Sequence, residues 1–203
     1  MIYNREEREI ILKRELSELD KFVLDFCKLL KEYVIVSGYV SILLGRSRAT
    51  EDVDLLIPKI NRGEFEELWI KLYKNNFECI NTLNSDEAFE MLKEHAIRFF
   101  CKKKRPIPNI EFKFIKTNLD EYSFQNKIKV ILNKDILFVS PIEMQIAFKL
   151  FLASDGEDYE ISSDKDIEDA RHLYKTFKEN INKKEMLNII TKLGVGKKLK
   201  WLQ

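Results

Sequence analysis

Residues 37–57 read SGYVSILLGRSRATEDVDLLI. A β-rich run, Tyr33–Ser37, leads into Gly38, and the apolar stretch Gly38–Leu44 has the length of a two-turn helix stopped by Gly45. Arg46–Glu51 is a polar turn, and Asp52–Ile57 alternates as a strand before Pro58. On a strand, residues two apart share a face, so Asp52 and Asp54 point one way while Val53, Leu55 and Ile57 point the other. Paired carboxylates can hold Mg²⁺ against a phosphate chain, because Mg²⁺ prefers one or two carboxylates completed by phosphates and water. The competing reading is a strand end with two solvated acids. Asp is disfavoured in strands, and that weighs towards metal binding.

Working outward, Gly38 lies fourteen residues before Asp52, between a strand and a helix. A glycine there lets phosphates approach helix amides, or merely serves a tight turn. Arg46 and Arg48 in the polar turn offer guanidinium forks to phosphate oxygens. The strand Ile110–Ile115 alternates and puts Glu111 and Lys113 on one face. Glu111 could complete a metal site with Asp52 and Asp54 and act as general base, or form an outward Glu–Lys pair. Lys149 sits in an otherwise apolar helix, where it must either reach solvent or face a charged partner. Asp166, Asp169 and His172 share a helix face, most simply as an ion-paired surface. His95 has no evident partner, and Lys102–Arg105 reads as a charged turn.

The remaining pattern is mixed. Residues 5–31 show helical apolar spacing and predict one long N-terminal helix. Helices are expected over Glu64–Lys74, Ser85–Lys93 and Asn118–Phe124, and strands over Phe77–Asn81 and Ala96–Lys102. Lys127–Leu132 and Ile136–Val139 form an expected hairpin. After Pro141 the pattern is helical: Ile142–Ala153, a helix from a Ser163 cap to Phe177, Asn182–Leu193 and Gly196–Leu202, with Ser154–Ser163 an acidic loop. The expected organisation is an α/β unit over 1–139 with its N-terminal helix, and a helical unit over 140–203.

The chain has 203 residues, 45% of them apolar, and a net charge of +1, which allows a sizeable core and gives no global bias towards nucleic acid. Three widely spaced cysteines, Cys27, Cys79 and Cys101, argue against a disulfide framework or zinc site. The charged opening MIYNREEREI lacks a signal-peptide core, and no apolar run reaches membrane-spanning length, so a cytoplasmic, non-membrane protein is expected.

The stretch from Ser37 to Ile57 resembles the AbiEii-like toxin branch of the polymerase-beta nucleotidyltransferase superfamily. Gly38 matches its first glycine, Gly45, Arg48 and Thr50 its turn, and Asp52, Asp54 and Leu55 its DxDL strand. Lys149, with Lys165, Asp166 and Asp169, is similar to its C-terminal pattern of a lysine on a buried helix followed by K-D-x-x-D. The chain departs from the family at Tyr39, where a small residue is usual, and at Glu111, where Asp is common.

The resemblance implies an α+β fold: a mixed β-sheet flanked by helices, with a C-terminal helical region. It implies transfer of a nucleoside monophosphate from a nucleoside triphosphate such as ATP to a hydroxyl of RNA (a tRNA end), protein or a small molecule. Asp52, Asp54 and Glu111 would bind Mg²⁺ or Mn²⁺ and catalyse. Gly38, Tyr39, Arg46, Arg48, Thr50 and Lys149 would hold the nucleotide, with the Tyr39 ring open to stack on a base. A toxin–antitoxin role with a cognate antitoxin is implied as well. Two alternatives stay open: a nucleotidyltransferase-like binding module or antitoxin without turnover, supported by Tyr39, and a metal-dependent nuclease using Asp54 with Glu111-x-Lys113.

Overall fold

Ile10 and Leu12 are buried while Glu9 and Ile11 are half-buried, an alternation of two that makes a strand of a segment expected to be helical. In the computed structural model, which describes residues 1–103, 106–154 and 164–202, β1 (Ile2–Asn4) and β2 (Glu9–Leu12) form an antiparallel hairpin. The helix α1 is confined to Glu18–Cys27. Ser17 stops anything longer: its hydroxyl accepts from the Asp20 amide and the Asp20 carboxylate accepts from the Ser17 amide, a reciprocal cap that starts a helix. The long N-terminal helix is therefore corrected to a hairpin plus three turns.

The rest follows the expected order closely. β3 (Val34–Val36), α2 (Gly38–Leu43) and β4 (Asp52–Ile57) carry the quoted stretch. Then come α3 (Arg62–Lys74), β5 (Phe77–Cys79), α4 (Ser85–Glu94), β6 (Ile97–Cys101), β7 (Asn109–Phe114) and α5 (Asn118–Gln125). β8 (Ile128–Leu132) and β9 (Asp135–Val139) form the expected hairpin. The chain closes with α6 (Ile142–Leu152), α7 (Lys165–Phe177), α8 (Lys183–Lys192) and a 3₁₀ segment, Gly196–Leu202. Asp164, not Ser163, caps α7. Ser163, most of the expected acidic loop, and Lys104 and Arg105 of the basic turn lie outside the described residues.

Among the described residues the strands form one mixed sheet ordered β1-β2-β8-β9-β3-β4-β7-β6-β5. The central strands β4 and β7 are parallel, and β3 and β6 flank them antiparallel. One face carries Ile35, Val53, Leu55, Ile110 and Phe112, all fully buried. Phe26 of α1 packs there against Phe77, Phe99 and Phe112. Burying such rings contributes roughly 1.5–3 kcal/mol each. The other face has only a small apolar cluster, Val34, Leu56 and Ile115 with Val36 and Phe124. That sparse cover leaves room for polar side chains on this face of the sheet. Among the described residues no helix is long and apolar enough to cross a membrane.

Candidate active site

Register brings the acids together. Val36, Asp54, Glu111 and Arg98 lie opposite one another in a row across β3, β4, β7 and β6. Asp52 lies opposite Asn109 in the same parallel pair. Asp52, Asp54 and Glu111 therefore share the thinly covered face, because cross-strand partners point to the same side.

Glu111 is not free to act as expected. Its Oε1 lies 2.6 Å from Lys113 Nζ, and its Oε2 accepts from Arg98 Nη2 at 2.7 Å. Burial pushes its carboxyl up, but Lys113 and Arg98 outweigh burial and hold it below its usual range. With both oxygens engaged by cations, Glu111, the expected third ligand and general base, anchors Lys113 in this arrangement. Lys113 also donates to Asp54 Oδ1 at 2.8 Å. Its ammonium thus bridges two carboxylates. Burial lowers its pKa, and Asp54 and Glu111 more than reverse that.

The donor set left for a metal is Asp52, Asp54 and the orphaned Oδ1 of Asn109, which is buried without a hydrogen bond from the protein. Among the described residues no cluster of three or more His, Cys, Asp or Glu side chains could hold a metal. Two carboxylates with an amide oxygen beside them fit Mg²⁺ or Mn²⁺ completed by substrate phosphates, and do not fit a closed protein-only cage. Among the described residues no hydrogen bond or ion pair engages the Asp52 carboxylate. Thr50 serves the strand instead: its Oγ1 donates to the Asp52 carbonyl at 3.0 Å.

Gly38 has a geometric reason. A Cβ there would lie 2.6 Å from Arg48 Nη2, so only glycine lets the guanidinium rest on the start of α2. Ser37 just before it has φ of +63°, a strained value for a residue with a side chain. Arg48 is held by two bonds to Asp169, Nε to Oδ1 at 3.0 Å and Nη2 to Oδ2 at 2.8 Å. Arg46 turns to Glu168 at 3.4 Å and Asp169 at 3.8 Å.

Lys149, on α6, has 2% of its side chain exposed; its Nζ lies 2.6 Å from Asp166 and 3.0 Å from Asp169, which is fully buried. Burial raises the Asp169 carboxyl, but Arg48 and Lys149 bring it below its usual range. The expected phosphate cations Arg46, Arg48 and Lys149 are here engaged in a partly buried ion network. That network ties the turn after α2 to α6 and α7. His172 Nε2 donates to the Leu44 carbonyl, 3.1 Å away, and its ring packs over Gly45.

Tyr39 is corrected too. Its ring is fully buried, and its hydroxyl donates to Asp20 Oδ1 at 2.8 Å, so it cannot stack on a base. Asp20 was not anticipated. It takes two bonds from Arg14, at 2.6 and 2.9 Å, besides those of Ser17 and Tyr39. Burial raises its pKa, yet these donors bring it down to about 2. The S-x-x-D spacing of Ser17 and Asp20 carried that signal. Lys113 was visible as part of E-x-K; Arg98 and Asn109 gave no signal before the strand register was known.

A cleft of about 270 Å³ opens beside Asp54 and Lys113, bounded by Ser37, Leu119 of α5, and Gln145 and Phe148 of α6. Of three larger grooves among the described residues, those of about 370 and 460 Å³ are lined by none of the candidate residues, and one of about 440 Å³ is lined by Arg46 with Glu168 and His172.

No family model and no curated protein sequence matches the chain. Its structure is similar to that of an antigenic nucleotidyltransferase-like protein from Paracoccidioides brasiliensis, with a TM-score of 0.56 and 17% identity over 92% of this chain and 94% of that one. The chain has a nucleotidyltransferase-like fold.

Proposed function

We propose that the protein is a divalent-cation-dependent nucleotidyltransferase that moves a nucleoside monophosphate from a nucleoside triphosphate to an acceptor hydroxyl. The observation that carries this reading is the Asp52–Asp54 pair, on one thinly covered sheet face with Asp54 opening onto the cleft, within this fold. Asp52, Asp54 and Asn109 Oδ1 would hold Mg²⁺ or Mn²⁺, which when bound screens the charge on the phosphate oxygens. Lys113, anchored by Glu111, presents a fixed ammonium to the phosphate nearest Asp54. Ser37, strained in its backbone, lines the same cleft, and strain of this kind, about 1–3 kcal/mol, gathers at functional sites. Rigid placement of these groups is the source of rate: charge neutralisation and orientation together. The acceptor oxygen bonds to the α-phosphorus as the bond to the bridging oxygen breaks, the hydroxyl proton passes to solvent, and pyrophosphate leaves.

The acceptor classes are RNA, a protein hydroxyl or a small molecule, and growth arrest on expression, relieved by a partner protein, is the test of a toxin–antitoxin role. Burial of Tyr39 removes the support it lent to an inactive module. One observation favours a second reading: Lys113 bridging Asp54 and Glu111 is similar to the D…ExK site of metal-dependent nucleases. Incubating the protein with α-labelled nucleotides, Mg²⁺ and total RNA or lysate separates the two. Label on an acceptor supports transfer. Cleavage of labelled nucleic acid without added nucleotide supports the nuclease.

A further inference from the structure

Gln145 is 2% exposed and lines the cleft beside Asp54. Its Nε2 donates to Ser140 Oγ, itself fully buried, which commits the nitrogen end of the amide. Its Oε1 is buried with no hydrogen-bond partner. An acceptor left in that state carries a real cost, and native chains keep such groups where a ligand or water completes them. Around it the wall is apolar and partly aromatic: Met144 and Phe148 from α6, Leu119 from α5. Phe148 is only half-buried, and its ring stacks on Phe151 with centroids 6.0 Å apart. A mostly apolar slot with one unpaired acceptor, next to a phosphate-binding pair, is suited to a flat heterocycle with a hydrogen-bond donor.

We infer that Gln145 is a specificity-determining residue: its Oε1 accepts from the exocyclic amine of the nucleobase, so the cleft selects amine-bearing bases (adenine, cytosine or guanine) over uracil. This rests on the transfer reading above. Among the described residues none donates to Oε1, which leaves it to a donor from the ligand or to a water that the ligand's donor displaces. Uracil presents carbonyls where the amine stands, and these repel an acceptor whose amide nitrogen is already engaged. The effect follows the logic by which a site built around one hydrogen bond rejects the analogue that lacks it.

The test is a set of equilibrium titrations of the whole protein with Mg²⁺ and matched triphosphates. ATP is paired with purine riboside triphosphate, CTP with its 4-deamino analogue, and GTP with ITP; UTP is measured alongside. In the tightest-binding pair, loss of the amine weakens binding by about 3- to 10-fold, and UTP binds at least as weakly. Gln145→Met, near in shape and without the acceptor, brings the two members of that pair to equal affinity while triphosphate binding persists. If the variant does not fold, the wild-type pairs alone decide. Triphosphates that bind wild type regardless of the amine, or UTP binding tightest, overturn this inference and leave nucleotidyl transfer standing. Absence of binding by every triphosphate overturns both.

Discussion

Replacing Lys149 with methionine separates a structural lysine from a phosphate-binding one. The side chain is 2% exposed and faces Asp169, which is fully buried, at 3.0 Å and Asp166 at 2.6 Å. At an effective dielectric near 20, two unit charges about 3 Å apart attract by roughly 5 kcal/mol. Desolvating the ammonium takes back part of that, and removing one partner of a buried pair costs about 3–5 kcal/mol in general. Here Asp169 keeps both bonds from Arg48, and Asp166 is 13% exposed and can turn to water. The expected loss therefore lies at the lower end, about 3 kcal/mol, against a total stability of about 5–15 kcal/mol. Urea unfolding at neutral pH measures it as a fall in midpoint with unchanged slope. Asp169→Asn strands Lys149 and Arg48 together and should cost more. Combining the two changes should cost less than their sum, because both members of one pair are then gone. A Lys149→Met protein that loses under about 1 kcal/mol while its triphosphate affinity collapses refutes the argument. Lys149 would then be free for phosphate, and the ion network would not hold.

Three further outcomes follow from the same geometry. Gly38→Ala drives a methyl to 2.6 Å from the Arg48 guanidinium and must break or bend its paired bonds to Asp169, so unfolding free energy should fall by about 1–3 kcal/mol, measured by urea titration. Asp20 has its folded pKa brought from 3.8 to about 2, so it adds about 2 kcal/mol of stability above pH 4 that is lost as pH falls through 2. Asp20→Asn should flatten that acid limb; an unchanged pH profile contradicts the assignment. Tyr39→Phe should cost about 1 kcal/mol from the lost bond to Asp20 and leave triphosphate affinity unaltered in a binding titration.

The order of elements after residue 33 and the shared face of the acid pair were legible because they rest on short-range rules. A period of two places Asp52 with Asp54, and Gly38 with Pro58 brackets the two elements between. The N-terminal error came from a pattern that serves two structures: Ile10, Leu12, Leu16 and Leu19 fit both a helix and a strand followed by a capped helix. The S-x-x-D signal at Ser17 was there to decide it. The cations were misread for a different reason. Composition shows that Arg48 and Lys149 are positive, but only tertiary packing shows that Asp166 and Asp169 reach them first. Tyr39 likewise sits beside a candidate glycine in sequence while its side chain turns into the core, because the strained turn at Ser37 points it there. Glu111 was placed with Lys113 on one face by alternation; the engagement of its second oxygen depends on Arg98, thirteen residues away on another strand, which no local rule connects to it.

The most direct measurement is transfer of label from α-labelled triphosphates in Mg²⁺, comparing the wild type with the Asp52→Ala/Asp54→Ala protein after matching both for folded fraction. The Asp52–Asp54 account predicts label on an acceptor with the wild type and a loss of at least about 100-fold in the double variant, the scale on which a lost charge-stabilising group acts. Label transfer at the wild-type rate by the double variant contradicts it.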